Sequence, residues 1–186
     1  DMERKLDTVL EEVRRVVTRA KEANDRVLKD AKRVVEELSD RNRRVLEDAK
    51  RVVDELKEKR KDVDELLRRI EETVKELERT ARELNKRIED SLREIAKKHE
   101  DLKRRLEEIV KRLAEEIERL KRDLREEDEV VDKLLKKLKE TLRRMEKESE
   151  ELLRETEKIL RELEKEVEDH LRTVEKTLED LRREVE

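Results

Sequence analysis

Neither glycine nor proline occurs anywhere in the 186 residues, and these two absences restrict the fold more than any residue that is present. Without glycine, nothing suits the positive-φ positions of tight hairpin turns. Phe, Trp and Tyr are missing as well, so the usual fillers of strands are depleted. Dinucleotide-binding turns, P-loops and nucleophile elbows all need glycine where backbone approaches a ligand or bends sharply. With no cysteine there are no disulfides, thiolate metal sites or cysteine nucleophiles, and the redox compartment is left undetermined. The helix needs none of these residues.

Helix is also what the apolar pattern asks for. Val9, Leu10, Val13, Val16, Val17 and Ala20 form a stripe that returns 18 residues later as Val27, Leu28, Ala31, Val34, Val35 and Leu38. It returns again as Val45, Leu46, Ala49, Val52, Val53 and Leu56. Eighteen residues are five turns at about 3.6 residues per turn, so the stripe keeps its direction along a nearly straight helix. Ser39-Asp40 resembles a helix start, but a break there would disturb the phase.

The stripe lapses twice. In KEKRKD (residues 57–62) basic residues precede acids, and Asp62 with Glu65 has the spacing of a capping box. In REEDE (residues 125–129) the same order of charge recurs. These lapses predict an all-α, elongated, single-chain up-down-up three-helix bundle with coiled-coil-like packing, one domain over 1–186. Its helices fall at about 2–59, 62–125 and 128–185. Paired apolar positions such as Leu134/Leu135 and Ile159/Leu160 widen each stripe enough to touch two neighbours. Pairs at i,i+4, such as Glu83–Arg87 and Glu107–Lys111, are expected to bridge along single helices.

Charged residues make up 59% of the chain, yet the net charge is only −4. Bases alternate with acids and no aromatic is available to stack on a base, so no nucleic-acid partner is expected. No apolar run reaches the length of a membrane span, and no basic polar face with aromatic anchors suggests a membrane surface. The expectation is therefore a soluble chain with no membrane partner and no targeting or transmembrane segment.

A few polar residues interrupt the apolar stripes. Folding at the two lapses makes facing residue numbers sum to about 122 between the first two helices and about 254 between the last two. Two layers emerge, Asn24/His99/Thr156 and Asn42/Thr80/Thr173, each with one polar residue per helix. Polar groups inside a core cost free energy unless they satisfy one another, and such a layer can fix register. Ser91, Ser149 and His170 find no comparable partners.

His99 and His170 lie too far apart along the axis to share a metal, and neither belongs to an HExxH or an ExxH pattern. Carboxylates are so numerous that no pair stands out as acid and base. No catalytic, cofactor or metal residues are assigned, and no enzyme activity, cofactor or small-molecule ligand is expected.

The restricted alphabet, the 18-residue repeat, the glycine-free turns and the polar layers resemble those of de novo designed helical bundles with buried hydrogen-bond networks. The resemblance covers the whole chain and rests on style, with no identifying motif. It implies a synthetic origin and a structural scaffold without natural biochemical function. The alternative it implies is a designed interaction module: an oligomer or heterodimer building block, or a caged helical switch, with doublets such as Val130/Val131 and Leu152/Leu153 exposed. A monomer is expected, and self-association or a designed protein partner belongs to the alternative.

Overall fold

The computed structural model describes residues 2–122 and 128–186. Among them are three α-helices and no strand: α1 (Met2–Lys59), α2 (Asp64–Arg122) and α3 (Asp128–Val185). They form an all-α three-helix bundle, as the periodicity predicts. No described residue has a positive φ. Helix α1 runs through Ser39-Asp40 without a break. The expected second turn at residues 125–129 falls largely on residues 123–127, which lie outside the described residues.

The chain divides into two compact units, each built from one segment of every helix. The first comprises residues 1–30 and 94–156, the second residues 31–93 and 157–186. In the first unit Leu6, Val13 and Val17 of α1 pack with Leu102, Leu106, Leu113 and Ile117 of α2, and with Val131 and Leu138 of α3. In the second, Val35 and Leu38 meet Leu84 and Ile88, with Leu163 and Val167. Further along, Val53 and Leu56 meet Ile70, Leu181 and Val185. Every layer draws on all three helices, which is why each stripe is wider than a two-stranded seam. Val131, which only the alternative of an interaction module would leave exposed, is buried, and Leu152 and Leu153 are half-buried.

The turn between α1 and α2 is tight. Residues 60–62 form it, Val63 N–H donates to Arg60 O at 3.4 Å, and Val63 O accepts the first bond of α2 from Leu67 at 3.1 Å. Val63 therefore occupies the N-cap, one residue later than the capping-box spacing suggests. It brings no side-chain acceptor, so the acids Asp64 and Glu65 in the first turn complement the helix dipole instead. The turn also closes the end of α3: Arg60 Nε donates to Val185 O at 2.8 Å, satisfying one of the carbonyls that a helix C-terminus leaves open. Replacing Arg60 with Ala should lower stability by about 1–2 kcal/mol in urea unfolding, the worth of a charged hydrogen bond at a partly buried site, and Arg60→Lys should recover part of it. A loss no larger than that of a typical surface substitution would count against the cap.

Candidate functional site

An 18-residue period repeats not only the apolar stripe but also the polar positions within it. Asn24 and Asn42 each occupy the core point of α1 where the stripe is otherwise apolar, and both are buried. Facing residue numbers sum to 123 at both, pairing 24 with 99 and 42 with 81. Each asparagine does the same thing with its amide: Nδ2 donates to the His99 carbonyl at 3.0 Å and to the Ala81 carbonyl at 2.9 Å. The two sites then diverge.

In the first unit, Asn24 Oδ1 meets His99 Nδ1, and His99 Nε2 meets Thr156 Oγ1 at 2.9 Å. His99 is 0% exposed, and Asn24 and Thr156 are buried beside it. The geometry fixes the proton. A carbonyl only accepts, so the Asn24 NH₂ must face His99 O and its oxygen must face the ring. Nδ1 is then the donor, and in the neutral ring Nε2 accepts from the Thr156 hydroxyl. Three helices are joined by three hydrogen bonds.

Burial also pushes the His99 imidazole below its ordinary value, outweighing the upward pull of its hydrogen bond with Asn24 and of the Asp25 charge. A charged ring would have to be carried in the core, with Nε2 changed to a donor and the Thr156 hydroxyl turned to accept. The half-buried His170 is lowered by burial as well.

In the second unit the positions 18 residues from His99 and Thr156 are Ala81 and Val174, both buried and both unable to hydrogen-bond through a side chain. Asn42 is 3% exposed, and its Oδ1 has no partner. Thr80 stands one residue, or about 100°, away from the core point that Ala81 takes. Its hydroxyl donates to the carbonyls of Glu76 and Leu77, both at 3.1 Å. Thr173 is exposed and donates to Asp169 O at 2.9 Å. Asn42, Thr80 and Thr173 are thus not joined. Thr80 and Thr173 instead line an open groove of about 640 Å³ with His170.

Two features were not anticipated. Ser39 Oγ donates to Asn85 Oδ1 at 2.7 Å, linking α1 and α2 beside Asn42. On the rim of α2 and α3, Arg69–Glu184, Arg87–Glu166 and Arg105–Glu148 form a ladder at 3.1, 3.2 and 2.8 Å. Its rungs are 18 residues apart on each helix, a spacing visible in the sequence to anyone comparing helices with one another. Arg87 therefore reaches Glu166 rather than Glu83, and Glu107 pairs with Lys21 at 3.0 Å rather than with Lys111. Exposed pairs are worth about 0–1 kcal/mol each, so the ladder serves register more than stability. Among the described residues, no group of three or more His, Cys, Asp or Glu side chains could hold a metal ion.

Residues 93–186, just over half of the chain, match the family described as aluminium activated malate transporter. The chain belongs to that family. No curated protein and no solved structure matches it. The family match overturns the expectation of a de novo designed bundle, and with it the designed scaffold, the designed interaction module and the synthetic origin. The physical reason is that a missing residue type records only what long helices can do without, and not where a chain comes from. The expectations of a soluble chain and of no membrane partner are corrected on the same ground, since the family is one of transporters. No helix among the described residues is long and apolar enough to cross a membrane.

The divergence between the two asparagines is testable. Asn24→Leu strands the His99 ring and should cost about 1–3 kcal/mol, the penalty of an orphaned buried polar group. Asn42→Leu gives up the Nδ2 bond to Ala81 O, a carbonyl within α2, but also removes an oxygen that has no partner, so urea unfolding should find it nearly neutral. Equal effects at the two positions would refute the account.

The sign of the pH dependence follows from the lowered imidazole. Above an ordinary value of 6.5, ring and unfolded chain are both neutral and stability is flat. As pH falls below it the unfolded state takes up the proton first, so stability is lost until the folded ring titrates. Tested in a His170→Asn background, this loss between neutral and mildly acid pH should disappear when Asn24, His99 and Thr156 are all made apolar. Persistence of the full loss would contradict it.

Proposed function

We propose that the chain acts in malate transport as a helical support outside the membrane-crossing path, and that it catalyses no reaction. What carries this reading is the position of the family match, which begins at Arg93 and includes His99 and Thr156. Within it, α2 is tied to α3 by the imidazole–hydroxyl bond and by Arg105–Glu148 on the rim. Moving a dicarboxylate across a membrane breaks no covalent bond, so it calls for no nucleophile or general acid. In this reading the buried network is structural. Its hydrogen bonds hold three helices in one register, so that a load on one helix is carried by the others.

The test is malate release. Membrane vesicles from cells that already have an aluminium-activated path for malate should release malate faster on addition of aluminium when the cells also produce the full chain than when they lack it. Asn24→Leu should diminish the gain by weakening the bundle. Equal release with and without the chain would overturn the reading.

A further inference from the structure

The outward face of α3 between Lys133 and Arg144 departs from the charge pattern of the rest of the chain. Lys133, Lys136, Lys137, Lys139, Arg143 and Arg144 stand against a single acid, Glu140, for a net +5 in a chain whose total is −4. All six bases are exposed. Val131 and Leu138 turn the other side of this segment into the core, so at 100° per residue the bases spread over the face that remains.

Their lack of partners is the second observation. Elsewhere in the same unit Lys21 holds Glu107, Lys98 holds Glu155, Arg105 holds Glu148 and Lys121 holds Asp7. None of the six bases holds a carboxylate among the described residues. Three of them, Lys133, Lys136 and Lys137, line an open groove of about 370 Å³ with Leu134, Glu116 and Glu140.

We propose that this face docks on a membrane surface through the phosphate and carboxylate groups of anionic lipids. Four to eight clustered bases on an amphipathic helix are enough for such attraction, which acts within a Debye length of the surface. The apolar side of α3 is committed to the core, so the contact is electrostatic and lies at headgroup level without insertion. Nucleic acid also presents phosphates, but it would call for stacking side chains, and the chain has no aromatic residue. The proposal rests on reading the chain as part of a transporter and adds the surface by which it meets the bilayer.

The experiment is cosedimentation of the full chain with phosphatidylcholine vesicles, with and without phosphatidylserine. Binding is expected only with phosphatidylserine and should fall as salt rises. The variant Lys133→Gln/Lys136→Gln/Lys137→Gln changes exposed side chains only. It should bind about a hundredfold more weakly, since each base near an anionic surface is worth about a fivefold change. The control Lys158→Gln/Arg161→Gln/Lys165→Gln, equally exposed further along α3, should bind like the parent. The proposal fails if the full chain ignores anionic vesicles, if both variants lose equally, or if a DNA duplex binds with the same dependence on these lysines while vesicles do not. No malate is present, so loss of lipid binding with malate release intact removes this surface alone, and the reverse removes the transport reading alone.

Discussion

A neutral imidazole buried among aliphatic side chains has to satisfy two nitrogens of opposite character, and that requirement organises the first unit. His99 meets it by drawing a carbonyl oxygen from α1 and a hydroxyl from α3. Slide any one helix by a residue and the side chain there rotates by about 100°, leaving an orphan in the core. Leucine layers would tolerate such a slip far better, because apolar contacts have no direction. The network therefore supplies what the stripes lack, a reason for one register over its neighbours.

Much of this is legible in the residues. The 18-residue stripe specifies helices and which face of each is buried, and the reversal of charge order at residues 57–62 marks the first turn. Asn24, His99 and Thr156 can be set side by side from the numbering alone. Numbering does not say which of two adjacent residues points at the partner, however. At Ala81 that one-residue difference decides the matter, leaving Thr80 to bond its own helix and Asn42 Oδ1 without a donor. The rim ladder is missed for a different reason: i,i+4 counting looks along a helix, whereas Arg87 and Glu107 reach across to another.

Family membership lay beyond the reach of composition. Long charged heptads have the same physical needs whatever their history, so a missing glycine or aromatic residue speaks to the fold and not to descent. Two observations then bear on the proposed role: among the described residues no helix is long and apolar enough to cross a membrane, and the basic face of α3 between Lys133 and Arg144 holds no carboxylate. The core holds the register of the helices, and the outward face of α3 meets the membrane.

The central claim is the protonation state of His99, and long-range proton–nitrogen NMR of the imidazole reads it directly. The account predicts a single neutral tautomer at neutral pH. Its proton should sit on Nδ1, exchange slowly with solvent and persist well below the ordinary titration range. A ring that averages between tautomers, exchanges freely and titrates near the value of an exposed histidine would contradict it.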